Sequence, residues 1–363
     1  MDYIVSPYLR LYMDKPYMVF NFLTNKLQAI NNQSLSILKE CVEPRPVDNL
    51  INKYGEPIIK RLIDRRQILE YETMWNQHQI IHLEIETSTV CNWRCEYCPV
   101  RTHPKAPRHI DKDLFSLILD RALEYTHIKW ISLHSFNEPT IDPNFYFYID
   151  EMAKRNLGWG LFTNGSGLDE STVQYMKNHS TINQVIVNIP SVDKETFEAM
   201  TGSKTYDKTI QSVHLLQKYG IDVQIIVMGR GKEQLHEREK IRLAFPGIQI
   251  ISFESYDRIG LLNNKYKQNI HIRDKYLGGC YMLTERASIS INGDILLCCN
   301  DYNRSITFGN LKNQSLDTLL RGKEISEIRK MIWGGVSPDN DFYCRKCAMM
   351  YNNMHDDHYK KLR

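Results

Sequence analysis

The chain has 363 residues, of which 42% are apolar and 25% charged, so it can bury a sizeable core and is long enough for two or three domains. Its formal net charge of +3 is too small to indicate a nucleic-acid or acidic-membrane partner. It has no run of 18 apolar residues and no signal-peptide pattern, and most of its nine cysteines are clustered. These features predict a cytoplasmic protein that uses thiols as metal ligands.

The first 72 residues predict a small module of strands followed by helices. Short apolar stretches broken by turn residues predict strands at Tyr3–Tyr12, Tyr17–Phe22 and Leu27–Ile30. Stretches with helical spacing follow at Gln33–Cys41, Val47–Tyr54 and Glu56–Leu69. This order is typical of a winged-helix domain, and the polar segment Thr73–Gln79 is the predicted linker.

From about residue 80 to residue 255, strand and helix patterns alternate. Strands are predicted at His82–Thr87, Lys129–Ser135, Trp159–Thr163, Gln184–Ile189, Val223–Met228 and Gln249–Glu254. Helices are predicted at Leu114–Tyr125, Asn144–Lys154, Glu170–Asn178, Lys208–Lys218 and Glu233–Phe245. Such alternation predicts an α/β fold, a partial (β/α)6 barrel similar to a TIM barrel, whose reactive residues follow the carboxyl ends of the strands.

Three cysteines follow the first predicted barrel strand, with C-x3-C-x2-C spacing: Cys91, Cys95 and Cys98. Three thiolates at this spacing can coordinate three irons of a [4Fe–4S] cluster and leave the fourth iron open to a substrate or cosubstrate. A structural zinc site with His103 as fourth ligand is the alternative. The position directly after a barrel strand favours the reactive cluster.

This motif, with Tyr97 before its last cysteine, resembles that of the radical S-adenosylmethionine (radical SAM) superfamily, and the likeness extends over residues 80–255. The resemblance implies that the open iron binds S-adenosylmethionine. Reductive cleavage then yields a 5′-deoxyadenosyl radical that abstracts a hydrogen atom from the substrate. A flavodoxin- or ferredoxin-type electron donor is also implied.

The resemblance further implies that residues at the strand ends contact S-adenosylmethionine. Ser135-Phe136-Asn137-Glu138 occupies the slot of a glycine-glycine-glutamate motif; without the two glycines, only the backbone role and Glu138 carry over. The other candidates for cofactor binding are Tyr97, Asn164, Asn188, Ser191, Met228 and Arg230. Asn188 and Ser191 match the ribose position, and Met228 and Arg230 match the adenine and carboxylate positions. Ordinary hydrogen bonding at strand ends is the alternative.

Four further cysteines have the spacing C-x17-C-x45-C-x2-C: Cys280, Cys298, Cys344 and Cys347. Four thiolates can close a second [4Fe–4S] cluster or a zinc site. The sequence around Asn292-Gly293 and Phe308-Gly309-Asn310 resembles the SPASM extension, or its shortened form, twitch, and so favours one auxiliary cluster. Cys41 is predicted to pack in a core. Cys299 is either a packing residue or a hydrogen-atom donor to a substrate radical.

The N-terminal module resembles the PqqD-like recognition element of ribosomal-peptide (RiPP) maturases. The resemblance implies that a leader peptide adds a strand at the edge Leu27–Asn31, with Glu56–Leu69 as the pocket wall. A generic winged-helix packing domain is the alternative.

These patterns predict three domains: residues 1–72 for peptide recognition, 80–255 for the barrel and 256–363 for the auxiliary cluster. The predicted function is a peptide maturase that crosslinks, epimerises or oxidises a ribosomally made precursor peptide. A dehydrogenase for a small metabolite such as an aminocyclitol is the main alternative, and a non-catalytic scaffold is a further one.

Overall fold

The computed structural model describes residues 1–179, 181–267, 272–273 and 275–351; the last part of the predicted auxiliary-cluster domain, residues 352–363, lies outside the described residues. The strands are β1 Asp2–Val5, β2 Leu9–Tyr12, β3 Met18–Asn21, β4 Lys26–Ala29, β5 Arg45–Pro46, β6 Ile68–Glu70, β7 His82–Ile85, β8 Trp130–Ser132, β9 Trp159–Thr163, β10 Ile182–Asn188, β11 Val223–Gly229, β12 Gln249–Glu254, β13 Arg286–Ile289, β14 Asp294–Leu296 and β15 Thr307–Asn310. The α-helices are α1 Asn32–Glu40, α2 Val47–Tyr54, α3 Glu56–Asp64, α4 Lys112–Glu124, α5 Phe145–Lys154, α6 Glu170–His179, α7 Lys194–Thr201, α8 Tyr206–Lys218, α9 Gly231–Ala244, α10 Met282–Glu285, α11 Leu316–Leu320 and α12 Lys323–Ile332. Within the described ranges, no helix is long and apolar enough to span a membrane.

The chain divides into two compact units, which are described separately below. The first unit comprises Met1–Ile80, Ile270–Arg286 and Asp317–Arg363, and the second comprises Ile81–Asn269 and Ala287–Leu316. The three predicted domains stay a prediction.

A nine-stranded sheet, counted over the described residues, forms the centre of the second unit, in the order β12-β11-β10-β9-β8-β7-β13-β14-β15. Strands β7 to β12 lie side by side in chain order and pair in parallel. In β11, Val223, Ile225 and Val227 are buried, as expected for β-branched side chains inside a covered sheet. The predicted α/β fold with a partial barrel is confirmed.

The antiparallel part of this sheet contains the predicted hairpin. Strands β13 and β14 pair with Ser288 opposite Leu296, and Gly293 in the connecting turn has a φ of +89°. A glycine suits this position because other residues are strained in the left-handed region.

Helix α7 was not predicted, although its sequence carries a start signal. The side chain of Asp193 accepts a hydrogen bond from Thr196 N at 2.8 Å, which caps the helix. Phe197 is fully buried, while most of the eight-residue helix is polar. Its single buried aromatic residue gave too little periodicity for a prediction.

The N-terminal part of the first unit contains two small sheets. Strand β1 lies between β5 and β6, whereas β2, β3 and β4 form a second sheet in which β4 is an edge strand. The single strand predicted at Tyr3–Tyr12 is therefore wrong, because the chain leaves one sheet after Val5 and enters the other at Leu9. Pro7, which has no amide proton to donate, lies in the break.

Two further boundaries differ from prediction. Helix α3 ends at Asp64 instead of Leu69. Arg66 has a φ of +52°, which ends the helical path, and Leu69 in β6 pairs with Ile4 in β1. The polar linker predicted at Thr73–Gln79 is mostly a 3-10 helix, Tyr71–Asn76, whose Met74 carbonyl accepts a hydrogen bond from Tyr8 at 3.1 Å. Cys41 is fully buried, as predicted for a packing residue.

Candidate active site

The cysteine loop, residues 91–98, follows the carboxyl end of β7. Arg94 N donates to Thr201 O (2.8 Å) and Glu96 N donates to Met200 O (2.9 Å), so the last turn of α7 holds the loop. Gly202 follows that turn with a φ of +63°, and a Cβ atom there would lie 3.1 Å from Arg94 O. The loop backbone can approach this closely because Gly202 has no side chain.

Aromatic and apolar side chains enclose the three thiols. The buried members of this aromatic cluster are Trp93, Cys95, Tyr97, Phe197, Leu262 and Tyr266. Cys91 and Cys98 pack against it, together with Met200, Tyr206 and Met228. The indole nitrogen of Trp93, a residue between the first two cysteines in sequence, donates to Thr205 Oγ1 at 2.8 Å, which fixes its ring. All three thiols therefore share one largely dry environment.

Burial raises the pKa of all three thiols. The pKa of Cys91 rises to about 12, and those of Cys95 and Cys98 are also raised. For Cys95, the charges of the two neighbouring cysteines add to the effect of burial. Thiolates in such a place are stable only when they bind a positively charged group, because water does not stabilise their charge.

Glu138 is a buried carboxylate next to the cysteine loop. Its charge adds to the effect of burial on the pKa of Cys91. Its Oε1 accepts hydrogen bonds from the hydroxyls of Thr140 (2.6 Å) and Thr163 (2.5 Å), and its Oε2 accepts one from Asn164 N (2.6 Å). Burial raises the pKa of Glu138, and these hydrogen bonds oppose the shift. Because a carboxylate oxygen can accept two hydrogen bonds, Oε2 keeps a place for a further donor.

The segment before Glu138 uses its side chains within the protein. Asn137 Oδ1 accepts a hydrogen bond from Ser135 N at 2.9 Å, and its Nδ2 donates to Thr87 Oγ1 at 3.0 Å. The Phe136 ring meets the Tyr302 ring edge-on, with centroids 4.8 Å apart. These contacts agree with a backbone role for this segment.

Asn188 connects the end of β10 to the cysteine loop. Its Nδ2 donates to Tyr97 Oη at 3.0 Å, and the Tyr97 hydroxyl also forms a hydrogen bond with Cys95. Asn188 Oδ1 is buried and has no hydrogen-bond partner among the described residues. A buried acceptor of this kind is costly unless a ligand supplies the donor.

Two other predicted residues have structural contacts. Asn164 Nδ2 donates to Asn92 Oδ1 at 2.8 Å, which ties the end of β9 to the cysteine loop. Ser191 is fully buried, and its hydroxyl accepts a hydrogen bond from Asp193 N at 3.0 Å. Both contacts are of the strand-end kind that was the alternative to cofactor binding.

The two candidates after β11 have different surroundings. Met228 packs against the aromatic cluster that surrounds the thiols. Arg230 lies 3.6 Å from the carboxylate of Glu254 and donates to Lys267 O at 3.3 Å. A carboxylate ligand would therefore compete with Glu254 for this guanidinium.

The second set of cysteines is divided between the two units. Cys280, Cys344 and Cys347 belong to the first unit and are buried, whereas Cys298 and Cys299 belong to the second and are half-buried. Burial raises the pKa of Cys280 to about 12. Cys347 N donates to Cys344 O at 3.2 Å, which closes the C-x2-C turn.

His103, the fourth ligand in the zinc alternative, is exposed, and its Nδ1 lies 2.9 Å from Thr102 Oγ1. In the part of the chain that the structure describes, no group of three or more His, Cys, Asp and Glu side chains could hold a single metal ion. A [4Fe–4S] cluster takes one thiolate for each iron, so its ligands do not converge on one atom.

Two known family models match the segments that contain these cysteines. The radical SAM superfamily model matches residues 85–244, and the SPASM iron–sulfur cluster-binding domain model matches residues 280–348. The chain is a radical SAM enzyme with a SPASM domain. The predicted cofactors, two iron–sulfur clusters and S-adenosylmethionine, are those of these two families, which confirms the iron–sulfur prediction over zinc.

Two curated relatives and one solved structure show how far the likeness of this radical SAM enzyme extends. The tungsten-containing aldehyde ferredoxin oxidoreductase cofactor-modifying protein of Pyrococcus furiosus is 33% identical over 26% of each chain, so the match spans about a quarter of that relative. The S-adenosyl-L-methionine-dependent 2-deoxy-scyllo-inosamine dehydrogenase of Niallia circulans is 22% identical, over 73% of this chain and 91% of the relative. The fold is similar to that of SuiB from Streptococcus suis, solved with its precursor peptide SuiA, with a TM-score of 0.60, 14% identity and coverage of 91% of this chain and 90% of that one.

The described residues fit the cofactors of a radical SAM enzyme. Three thiols share one dry environment, Glu138 Oε2 keeps a free acceptor position, and Asn188 Oδ1 lacks a donor. The individual cofactor contacts stay predictions.

Arg258 is a residue of this region that sequence reasoning missed. It follows β12 with a φ of +50°, and its guanidinium lies 5.6 Å from the centroid of the Phe136 ring. Burial raises the pKa of Cys98, and the charge of Arg258 opposes that shift. No motif marks this arginine, although its place after the last barrel strand was a signal.

Proposed function

We propose that this radical SAM enzyme is a maturase that modifies a ribosomally made precursor peptide. One observation chiefly supports it: strand β4 is at the edge of the sheet β2-β3-β4 in the first unit and pairs with no further strand among the described residues. An unpaired strand edge is the surface on which an extended peptide adds as a further strand.

The geometry of β4 suggests which backbone groups would receive the leader. Ile30 N donates to Tyr17 O at 2.9 Å, so the alternation of a strand directs the amides of Gln28 and Lys26 to β3 as well. The amides of Leu27 and Ala29 are then directed to the free edge. The Leu27 side chain is 56% exposed, which leaves an apolar anchor for the leader beside that edge.

The segment that follows helix α3 contacts β4. Gln67 Nε2 donates to Gln28 Oε1 at 3.1 Å, and Gln67 follows the helix closely. The contact supports a docking groove whose wall includes the segment between α3 and β6, in place of the last predicted helical turn.

In the second unit, the chain's own residues would hold the reacting groups. Cys91, Cys95 and Cys98 would bind the catalytic cluster, Glu138 Oε2 would accept from the ammonium group of S-adenosylmethionine, and Asn188 Oδ1 would accept from its ribose. When bound, the cluster and S-adenosylmethionine supply the hydrogen-atom abstraction. The aromatic cluster would exclude water from this step.

We propose the remaining roles on the family's pattern. Cys280, Cys298, Cys344 and Cys347 would bind the auxiliary cluster, and a flavodoxin- or ferredoxin-type protein would deliver electrons. Cys299 would give a hydrogen atom from its thiol to a substrate radical, and the thiyl radical left behind would be restored to a thiol by an electron from that donor and a proton. SuiB was solved with its precursor peptide and shares the fold over most of both chains, which supports a peptide substrate here.

The test of this function is binding of the leader peptide to the full chain. The probe is the labelled leader encoded beside the gene, and fluorescence anisotropy measures its affinity. Ala29→Pro removes an amide from the free edge and should weaken binding at least about tenfold, the effect of losing roughly 1.4 kcal/mol. Leu27→Ser should weaken it less, because the backbone pairing is retained.

The matched control is Asp14→Pro, in the exposed turn between β2 and β3 and away from the β4 edge. It should bind the leader with unchanged affinity, and all variants should still cleave S-adenosylmethionine without peptide. A folded Ala29→Pro variant with undiminished affinity would reject leader docking and leave the module a packing domain.

A dehydrogenase for a small metabolite is the second candidate. The Niallia circulans dehydrogenase supports it, since the match covers 91% of that relative. The same match leaves about a quarter of this chain without a counterpart, which favours an added recognition module. Turnover of an aminocyclitol by the holoenzyme with no peptide present would favour the second candidate.

A further inference from the structure

Arg273 crosses the C-x2-C turn of the first unit. Its Nη1 donates to Cys347 O at 2.8 Å, and its Nη2 donates to Met350 O at 3.1 Å. Its backbone amide donates to Arg345 O at 3.2 Å. One residue, more than 70 positions away in sequence, therefore fixes the backbone on both sides of Cys347.

A second arginine holds Arg273 in place. Arg345 lies between the two cysteines of the turn, is 1% exposed, and donates to the carbonyl oxygen of Arg273. It also donates to Lys275 O at 3.0 Å, Asp339 O at 2.8 Å and Ser337 Oγ at 3.1 Å. Within the described residues, all the acceptors of Arg345 are uncharged oxygens.

A buried guanidinium is costly unless a negative charge lies near it. Cys344 and Cys347 would supply that charge as thiolate ligands. Arg273 Nη1 lies 2.8 Å from the carbonyl oxygen of Cys347, so its guanidinium lies beside this ligand residue. Cys280 lies in the same unit and is also buried.

We propose that Arg273 is the positioning residue of the auxiliary cluster, and that its charge raises the cluster's reduction potential. Its side chain fixes the backbone that presents Cys347. One-electron reduction adds a negative charge to the cluster, and a nearby cation stabilises the reduced form. The inference depends on the SPASM cluster and not on the identity of the substrate.

The test is a reductive titration of the full chain after anaerobic reconstitution. The Cys91→Ala, Cys95→Ala, Cys98→Ala background leaves the auxiliary cluster as the signal observed. Dithionite supplies one electron per cluster through mediators, and electron paramagnetic resonance follows the reduced form. We expect Arg273→Gln to shift the midpoint potential to a more negative value and to speed the loss of iron to a chelator.

Lys346→Gln is the matched control. Lys346 lies in the same turn but is exposed, so water and salt screen its charge. Its loss should leave both the midpoint potential and the rate of iron loss close to those of the parent. Arg273→Lys should retain the potential, because it keeps the charge, but should lose iron faster, because it cannot reach both carbonyl oxygens.

Equal midpoint potentials for Arg273→Gln and Lys346→Gln would overturn the charge role. Equal rates of iron loss for Arg273→Gln, Arg273→Lys and the parent would overturn the positioning role. If Arg273→Gln binds no auxiliary iron, the lysine variant decides. If Arg273→Lys has the midpoint potential of the parent, the proposal is supported. A more negative midpoint potential in Arg273→Lys would contradict it, because the positive charge is still present.

Discussion

The two cysteine-rich regions hold the same kind of ligand in opposite surroundings. In the second unit, the cysteine loop packs in an aromatic cluster, and the charge of the buried Glu138 adds to the raised pKa of Cys91. In the first unit, the C-x2-C turn is bound by Arg273 and contains the buried Arg345. A cluster beside a carboxylate is harder to reduce than a cluster beside an arginine and, once reduced, is the stronger electron donor. The first surroundings suit cleavage of S-adenosylmethionine, and the second suit acceptance of an electron.

Removing the ligands of each region should have the largest effect. Two [4Fe–4S] clusters correspond to about eight irons per chain, and joint replacement of Cys91, Cys95 and Cys98 by alanine should leave about four. Cleavage of S-adenosylmethionine should be lost, because the open iron goes with that cluster. Iron analysis and detection of 5′-deoxyadenosine measure both effects.

The counterpart is joint replacement of Cys344 and Cys347 by alanine. It should also leave about four irons but retain cleavage of S-adenosylmethionine without peptide. Loss of S-adenosylmethionine cleavage in both variants would show that the two regions do not have separate roles. Zinc in place of iron would contradict the assignment of iron–sulfur clusters.

Glu138→Gln removes the charge that distinguishes the first region. The carboxylate should contribute about 1.5–3 kcal/mol to binding of an ammonium group, so the affinity for S-adenosylmethionine should fall by roughly tenfold to a hundredfold. Equilibrium binding to the reconstituted chain measures it. The midpoint potential of the catalytic cluster should rise, because the neighbouring negative charge is gone.

The same variant has a pH signature in the cluster-free chain. Burial raises the folded-state pKa of Glu138, so the folded state holds the proton more tightly than the unfolded state. The contribution of Glu138 to the free energy of unfolding is therefore largest below the unfolded pKa, about 4.3, and declines as the pH rises. The difference in urea unfolding between wild type and Glu138→Gln should show this decline, and a difference independent of pH would contradict it.

Gly202→Ala tests how the cysteine loop is held. A side chain in the left-handed region costs about 1–2 kcal/mol, and this one would also press on Arg94 O at 3.1 Å. Gly220 is a matched control, since its φ is also +63° and the nearest atom to a Cβ is Lys177 Nζ at 4.0 Å. Gly202→Ala should therefore destabilise the chain more than Gly220→Ala and release catalytic iron faster. Equal effects would show that the contact with Arg94 is unimportant.

Cys299→Ala should have the smallest effect on the clusters themselves. We expect unchanged iron content and continued formation of 5′-deoxyadenosine, with the modified peptide lost or diverted because the thiol hydrogen is gone. Mass spectrometry of the coexpressed peptide distinguishes the outcomes. A full yield of the normal product would make Cys299 a packing residue.

Sequence patterns were most informative where local chemistry decides the structure. The bounds of β9 and β12 agree with prediction, because β-branched and aromatic runs end there at polar residues. Helix α7 was missed because its burial depends on one aromatic residue, Phe197. The end of α3 was wrong because pairing of Leu69 with Ile4 is a long-range contact.

The site follows the same rule. Spacing marked the cysteine loop, and the resemblance to the radical SAM superfamily marked Glu138. The contacts of Arg273 with Cys347 and Met350 could not be predicted from the sequence, because no local pattern relates residues so far apart in the chain.

The free edge of β4 also has a consequence for the resting protein. A strand edge that no other described strand pairs with, and that carries an exposed leucine, is a template for any other extended chain, including a second copy of this enzyme. Lys26 at the start of β4 places a charge on that template, and charges of this kind discourage aggregation between sheets. A bound leader would cap the strand, so the precursor peptide would act as a solubility partner as well as a substrate, and coexpression with it should raise the yield of monomeric enzyme.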